Sequence, residues 1–237
     1  MPSRTPADET PLVSCVLVTR NRPQFVPQAL RCFRRQTYPN RELIVVDDSD
    51  RSQERLWTRS RKVRYIRIGS FTPSGTKLNI GVHAARGGII QILDDDDYYG
   101  PEFLAGSVSR LPRSQTTVVA RCCFLVLLRG RRELRHSGHG WNPSSICFHR
   151  ALWEKRPYRD LNQSSDSWFL RDHQPRIVRV CDIEQYMVVR HGANTWNTID
   201  YGSADEYFAA CEAYSKQIGQ LFRGEEARFY RSIAVGV

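Results

Sequence analysis

Short, largely apolar runs alternate with helical patterns through the first part of the sequence. Strands are predicted at residues 13–18, 43–46, 63–68 and 89–93, and helices at residues 22–35 and 76–85. The strands are mostly apolar in sequence rather than apolar at every second residue, which is typical of a parallel sheet that is covered on both faces. The pattern therefore predicts an α/β fold with a mostly parallel, Rossmann-like sheet flanked by helices.

The second part of the chain is less regular. Further strands are predicted at residues 116–128, 146–149, 177–180 and 186–189, and helices at 151–155, 165–172 and, amphipathic, 205–230. No internal repeat or low-complexity linker divides the chain. We therefore expect one domain over residues 1–237, with a regular half at 12–104, a smaller mixed half at 105–200 and a helical tail at 201–237.

The chain is basic, with 35 lysines and arginines against 25 aspartates and glutamates, a formal net charge of +10. Such a charge suits a polyanion, an anionic membrane surface or a phosphate-bearing substrate equally well. Neither a basic helix nor an aromatic and basic repeat of the kind found in nucleic-acid modules is visible, so nucleic acid is not an expected partner.

The cysteines and the N-terminal residues bear on the compartment. Seven cysteines occur without a C-x-x-C pair, and Cys122 and Cys123 lie in an apolar run, so we expect buried free thiols and a cytoplasmic location. Residues 1–11 have no apolar core, so neither a signal peptide nor an anchor is expected. Peripheral contact with the inner face of a membrane, through the basic surface, remains open.

Four consecutive aspartates occupy positions 94–97, directly after the predicted strand at 89–93. Neighbouring carboxylates repel one another, so the run needs either full solvation in an exposed turn or a cation among its oxygens. Since the run follows a buried strand, we favour the cation. Carboxylate oxygens at such a place suit Mg²⁺ or Mn²⁺.

Polar residues also follow the first two strands, and in open parallel sheets ligands bind at the carboxyl ends of the strands. Thr19 and Asn21 follow the first strand, and Asp48 follows the second, where it could accept from a base or a ribose, or make an Asx turn. Lys77 falls in the first turn of a helix, where phosphate binds, although a solvated lysine is also common there. The glycine-rich dinucleotide fingerprint is missing after the first strand.

Taken together, these motifs resemble the nucleotide-sugar motifs of glycosyltransferase family 2, which has the GT-A fold. The matching segments, in the order of the family, are SCVLVTRNRP at 14–23, ELIVVDDS at 42–49, KLNIG at 77–81 and LDDDD at 93–97. The resemblance is close over residues 13–104 and looser as far as Asn197. It implies that the first half binds the nucleotide sugar and that the second half holds the acceptor.

The resemblance also implies a role for each motif residue. Thr19 and Asp48 would hold the nucleotide base with Asn21 as support, while Lys77 would face the diphosphate, with Asn79 in the same donor-binding motif. Asp94 and Asp95 would bind the donor and Asp96 the metal. Because the run is four residues long, the frame of the family's D-x-D motif is ambiguous by one residue.

Three residues of the second half match family positions or lie beside them. Asp166 matches the aspartate that inverting members use as general base, although Ser165 replaces the usual glutamate, and a helix N-cap is the alternative role for Asp166. His191 matches a late histidine beside the metal or diphosphate, or else is a structural histidine. For Trp196 we expect a packed core position rather than a wall of the site.

The resemblance implies an inverting, metal-dependent hexosyltransferase. Its donor would be a nucleotide-diphosphate sugar, most commonly a UDP-sugar in this family, its cofactor Mn²⁺ or Mg²⁺, and its acceptor a saccharide, a lipid-linked glycan or another hydroxyl compound. One alternative is a homologue that binds the nucleotide sugar without turnover. Another is a sugar-phosphate nucleotidyltransferase, but that class needs a glycine-rich loop after the first strand.

Overall fold

The computed structural model describes residues 10–57, 60–137, 142–199 and 202–236. The strands are β1 Val13–Thr19, β2 Arg41–Asp47, β3 Val63–Arg67, β4 Ile89–Asp94, β5 Tyr98–Tyr99, β6 Thr117–Arg121, β7 Phe124–Leu128, β8 Arg135–Ser137, β9 Cys147–His149, β10 Arg176–Val180, β11 Tyr186–Arg190, β12 Thr198–Ile199, β13 Gly202–Ser203 and β14 Glu212–Ala213. The helices are α1 Val26–Arg35, α2 Glu54–Trp57, α3 Ser74–Ala84, α4 Phe103–Arg110, α5 Arg150–Lys155, α6 Ser165–His173, α7 Ala204–Ala210, α8 Ile218–Leu221 and α9 Gly224–Val235.

The main sheet has the strand order β10-β6-β9-β4-β1-β2-β3. Its neighbours pair in parallel except around β9, which runs antiparallel to both β4 and β6. A second, mixed sheet has the order β14-β8-β7-β11-β5. The predicted α/β architecture, with a mostly parallel sheet and a smaller mixed part, is confirmed.

Successive side chains of the central strands pack alternately into two separate apolar cores. Cys15, Leu17 and Val45 pack in the core that α1 covers, whereas Val16 and Ile44 pack in the core that α3 covers. Because successive side chains of a strand point to opposite faces, a strand apolar at nearly every position must be covered on both sides. This is why the continuous apolar pattern predicted the layers correctly.

One predicted strand is wrong. The run at 116–128 forms two strands, β6 and β7, that belong to different sheets, and the chain changes sheet at Cys122 and Cys123. Cys123 forms a disulfide with Cys181, so the expectation of free thiols is wrong for these two residues. Disulfides are rare in a reducing cytoplasm, so the cysteines no longer support the expected cytoplasmic location.

The tail is also more broken than its amphipathic pattern predicts. Instead of one helix over 205–230, it forms α7, β14, α8 and α9. Gly224, the first residue of α9, has φ +55°, outside right-handed helical geometry, so α9 does not continue α8. Helix α9 then packs on the domain, where Gln28 of α1 donates to Glu226 and Tyr230. Among the described residues, we find no helix with the length and apolar character needed to cross a bilayer.

Helix α3 lies close against the chain segment that precedes α6. The backbone N–H of Gly75 donates to the carbonyl of Leu161 at 3.0 Å, and Ser74 Oγ lies 3.1 Å from Ser165 Oγ. A Cβ atom on Gly75 would overlap the carbonyl oxygen of Arg159. The missing side chain at Gly75 therefore allows α3 to pack directly against the segment that leads into α6.

We expect Gly75→Ala to lower the free energy of unfolding by about 2 kcal/mol, because the overlapping atom belongs to backbone that cannot rotate away. Urea denaturation measures this change. Gly69→Ala is the matched control, since its Cβ would enter open space, and it should change stability by less than about 0.5 kcal/mol. Equal effects of the two substitutions would contradict the close packing of α3.

Candidate functional site

A cavity of about 740 Å³ opens at the carboxyl ends of β1 and β4. The first turns of α3 and α6 and the segment 193–196 complete its walls. The predicted site residues that line it are Thr19, Lys77, Asp94, Asp95, Asp96 and Asp166. The strand-end rule thus brings together residues that are far apart in the sequence.

The aspartate run at 94–97 is largely buried. Asp95, Asp96 and Asp97 are 3%, 7% and 4% exposed, which excludes a solvated surface turn. Burial and the charge of Asp96 raise the pKa of Asp94 to about 7. Burial, followed by Asp96 and Asp94, also raises the pKa of Asp97 well above its usual value. The carboxylates therefore need partners in the protein.

Arg22, which the sequence argument did not single out, supplies the main positive charge. Its Nη1 donates to Asp95 Oδ1 at 2.7 Å and to Asp96 Oδ2 at 2.9 Å. Its Nη2 donates to the carbonyl of Ala193 at 2.8 Å. Burial lowers the pKa of Arg22, but the charges of Asp95 and Asp96 outweigh it and raise that pKa. Arg22 thus joins the acidic run to the segment 193–196.

The carboxylate of Asp97 is bound by groups of the protein itself. Its Oδ2 accepts from the hydroxyl of Tyr186 at 2.7 Å, and its Oδ1 accepts from the backbone N–H of Val189 at 2.9 Å. These bonds fasten the segment between β4 and β5 to β11 in the second sheet. Both oxygens of Asp97 are thus engaged with groups of the protein itself.

The carboxylate of Asp96 contacts His191, the histidine that matched the late histidine of the family. His191 Nε2 lies 3.0 Å from Asp96 Oδ2, and Asn194 Nδ2 donates to the same oxygen at 3.3 Å. Burial acts to raise the pKa of Asp96, but the His191 hydrogen bond and the charge of Arg22 outweigh it, so that the pKa is lowered. An ionised carboxylate beside an imidazole nitrogen is a donor set that Mn²⁺ accepts, so these residues fit a divalent metal.

Asp48 and Lys77 form a buried ion pair. Lys77 Nζ lies 2.7 Å from Asp48 Oδ1, and their side chains are 8% and 0% exposed. The backbone N–H of Thr72 donates to Asp48 Oδ2 at 2.9 Å. Lys77 lines the cavity, whereas Asp48 lies behind it. Asp48 therefore holds Lys77 at the cavity wall.

The donor-side residues divide into those at the cavity and those outside it. Thr19 lines the cavity and donates through Oγ1 to Asp95 Oδ2 at 2.5 Å. Asn21 is exposed and donates through Nδ2 to Asp50 Oδ2 at 2.8 Å. Asn79 Oδ1 accepts from Trp153 Nε1 at 2.8 Å. Neither asparagine lies on the cavity wall.

Asp166 lies in the first turn of α6 and lines the cavity. The N-cap of α6 is Ser164, so the capping interpretation of Asp166 is wrong. Its Oδ1 is shielded from solvent and has no hydrogen-bond partner among the described residues. Burial, followed by the charge of Asp94, raises the pKa of Asp166 well above its usual value. Such a carboxyl is suited to take a proton from a ligand.

Two exposed aromatic residues line the cavity. Trp196 is 43% exposed and lines the cavity, so the expectation of a packed core tryptophan is wrong. Phe71, at 57% exposure, also lines it and lies 4.8 Å from the guanidinium of Arg20. An exposed aromatic residue does not belong to a helical or alternating apolar pattern, so the sequence does not indicate which way its ring points. Only the fold shows this.

Comparison with known proteins gives a consistent result. The sequence profile described as Glycosyl transferase family 2 matches residues 14–179. An uncharacterised glycosyltransferase, EpsJ of Bacillus subtilis (strain 168), is 29% identical over 164 residues, which are 68% of this chain and 45% of the relative. The chain spans less than half the length of the first curated relatives it matches.

Two solved structures share the fold. The mannosyltransferase PcManGT from Pyrobaculum calidifontis, in complex with GDP-Man and Mn²⁺, has a TM-score of 0.61 at 17% identity, over 77% of this chain and 57% of that one. S. aureus TarS in complex with UDP-GlcNAc has a TM-score of 0.61 at 16% identity, over 78% and 60%. The chain has the GT-A fold of these glycosyltransferases.

The Asp48–Lys77 pair generates a stability prediction. We expect Lys77→Met to lower the free energy of unfolding by roughly 3 kcal/mol, because it leaves a carboxylate buried without its nearest counter-ion. The double variant D48N/K77M should recover much of that loss, since it leaves no unpaired charge. Urea denaturation of the wild type, of D48N, of K77M and of the double variant gives the coupling energy between the two residues. Additive effects of the two substitutions would contradict the ion pair.

Proposed function

Because the chain belongs to glycosyl transferase family 2, we propose that it transfers a sugar from a nucleotide-diphosphate sugar to an acceptor hydroxyl, with inversion at the anomeric carbon. One observation carries the proposal. Asp166, whose Oδ1 has no hydrogen-bond partner among the described residues, lines the same cavity as Lys77 and the acidic residues Asp94, Asp95 and Asp96. A proton acceptor and a charged diphosphate site are thus available to two substrates at once.

The donor would bind along the ends of β1, β4 and α3. Thr19 and Asp94 would meet the nucleoside, and Lys77, at the N-terminal turn of α3, would meet the diphosphate. Asp48 would act in part by orienting Lys77. We propose a uridine nucleotide, although the solved neighbours hold both uridine and guanosine sugars.

A divalent metal fits beside the acidic run. Asp96 and His191 would hold Mn²⁺ or Mg²⁺, since an ionised carboxylate and an imidazole nitrogen lie within 3.0 Å of each other. The ion would offset the charge that develops on the departing diphosphate. Arg22 contacts the same carboxylate oxygen at 2.9 Å, so the guanidinium and the ion would compete for it.

Asp166 would act as general base. Its carboxylate would take the proton from the acceptor hydroxyl while that oxygen forms a bond to the anomeric carbon. The bond from this carbon to the diphosphate oxygen would break on the opposite face, and its electron pair would leave with the nucleoside diphosphate. A general base of this kind contributes about 10²–10⁴ in rate.

We expect Asp166→Asn to reduce sugar transfer by at least about 10² while the affinity for UDP in the presence of Mn²⁺ stays within about twofold, because the amide fills the same space without accepting a proton. Release of UDP from a panel of UDP-sugars measures turnover, and isothermal titration measures binding. In the wild type, activity should rise with pH above the usual range of an aspartate, since the pKa of Asp166 is raised.

Asp172→Asn is the matched control for that experiment. Asp172 lies on the same helix, but it pairs with Arg159 outside the cavity. The Asp172→Asn substitution should change only the free energy of unfolding and leave sugar transfer unchanged. Normal transfer by D166N would show that another group is the base, whereas nucleotide binding without turnover in the wild type would favour a non-catalytic homologue.

Arg22 generates a prediction about the metal itself. We expect Arg22→Gln to tighten Mn²⁺ binding in the absence of nucleotide by at least about tenfold, equivalent to about 1.4 kcal/mol. The substitution removes a fixed cation from the oxygen that the ion would use. Electron paramagnetic resonance of free Mn²⁺ measures the affinity. Arg31→Gln, which removes a pair with Glu225 far from the cavity, should leave it unchanged, and weaker binding by R22Q would contradict the competition.

A further inference from the structure

Three aromatic residues form one side of the cavity, and we name this cluster the aromatic wall: Trp196, Tyr207 and Phe208. Trp196 and Phe208 have ring centroids 6.2 Å apart, and Tyr207 and Phe208 have centroids 5.3 Å apart, both in edge-to-face geometry. Phe208 is buried, whereas Trp196 and Tyr207 are 43% and 47% exposed. A buried ring thus supports two rings that face the cavity.

One buried arginine holds together the segments that carry the wall. Arg190 is only 3% exposed, and its Nη1 donates to the carbonyl of Trp196 at 2.7 Å. Its Nη2 donates to Asn197 Oδ1 at 2.9 Å, and its Nε to Asp205 Oδ1 at 2.6 Å. One buried guanidinium therefore fixes the Trp196 segment to the start of α7, which carries Tyr207. Rings that are fixed before a ligand arrives lose little entropy on binding.

The wall is also tied to the candidate base. Gln163 Nε2 donates to the carbonyl of Thr195 at 3.2 Å, which links the residue before Trp196 to the segment that leads into Asp166. Thr19, Lys77 and Phe71 line the cavity from the main-sheet half, through β1 and the segment around α3. The aromatic wall comes from the second half of the chain. It therefore faces the substrate that Asp166 would deprotonate rather than the nucleotide.

The chemistry of the wall selects among acceptors. A pyranose ring has one face of C–H groups, which carry partial positive charge, and an edge of hydroxyl groups. The C–H face suits the negative face of an aromatic ring, and the hydroxyl edge suits the amide and hydroxyl side chains that line the same cavity: Asn142, Ser144, Asn162, Gln163 and Ser167. An acyl chain would displace water from these polar groups and offer them no hydrogen bond in return, which costs free energy.

We propose that the aromatic wall is the acceptor subsite and that it binds a pyranose ring of a saccharide stacked on Trp196 and Tyr207. The inference rests on the proposed function, since it assigns the acceptor of that reaction. Trp196 and Tyr207 are binding residues in this assignment, and Arg190 is a positioning residue.

The test uses the full chain and four probes in saturation-transfer NMR. The probes are methyl β-D-glucoside, methyl α-D-mannoside, the open-chain polyol sorbitol and 1-hexanol. We expect at least one methyl glycoside to bind with a dissociation constant of about 1 mM, which is weak because the ligand is small. Saturation transfer should be strongest at its ring C–H groups. Sorbitol lacks a ring face and should not bind.

Variants locate the binding. Trp196→Ala should weaken binding of the glycoside at least tenfold, while Trp196→Phe, which keeps an aromatic face and guards against a folding defect, should retain most of it. Phe71→Ala is the matched control, because Phe71 is another exposed ring in the lining of the same cavity and comes from the segment before α3 rather than from the aromatic wall; it should leave glycoside binding unchanged.

The outcomes separate the inference from the proposed function. If UDP binds with Mn²⁺ and UDP-sugars are turned over, but neither glycoside binds or W196A binds as the wild type does, the subsite assignment is wrong and the transferase remains. If hexanol binds through Trp196 and the glycosides do not, the wall takes an alkyl chain and the assignment is overturned. If UDP neither binds nor is released, the proposed function fails.

Discussion

The burial of a run of acidic residues is the constraint on which the rest of this structure depends. Carboxylates at adjacent positions repel strongly where water is excluded, so each of them must find a partner elsewhere in the chain. Arg22 pairs with Asp95 and Asp96, His191 meets Asp96, and the Tyr186 hydroxyl and the Val189 amide hold Asp97. These partners come from the loop after β1 and from the end of the second sheet. Satisfying the charges therefore also joins the two parts of the fold.

The same partners decide where negative charge is kept. Burial and neighbouring carboxylates raise the pKa of Asp94 to about 7 and that of Asp97 well above its usual value, whereas His191 and Arg22 outweigh burial at Asp96 and lower its pKa. Ionised oxygen is thus concentrated at Asp96, beside an imidazole nitrogen. Under the proposed function, a divalent cation would bind at this oxygen, where Arg22 already donates.

What the sequence could predict depended on how local each signal is. The strands β1, β2 and β4 and the polar residues at their ends follow from short apolar runs, so the sheet and the acidic run were predictable. The break between β6 and β7 was not, because Cys122 and Cys123 are as compatible with an apolar strand as their neighbours. Arg22 was missed since its partners lie 73 and 74 positions away in sequence. Asn21 and Asn79 belong to the correct motifs but bind protein groups outside the cavity.

The two walls of the cavity are encoded in different ways, and this has a consequence for specificity. The wall that carries Thr19 and Lys77 is built from consecutive motifs at strand and helix ends, so its chemistry is visible in short segments. The opposite wall depends on contacts between distant residues, such as Gln163 with Thr195 and Arg190 with Asp205. Such contacts can change without altering any motif of the first wall. Under the proposed function, chains with the same donor motifs can therefore differ in the acceptor, and the contacts of the second wall, rather than the acidic run, would determine which acceptor binds.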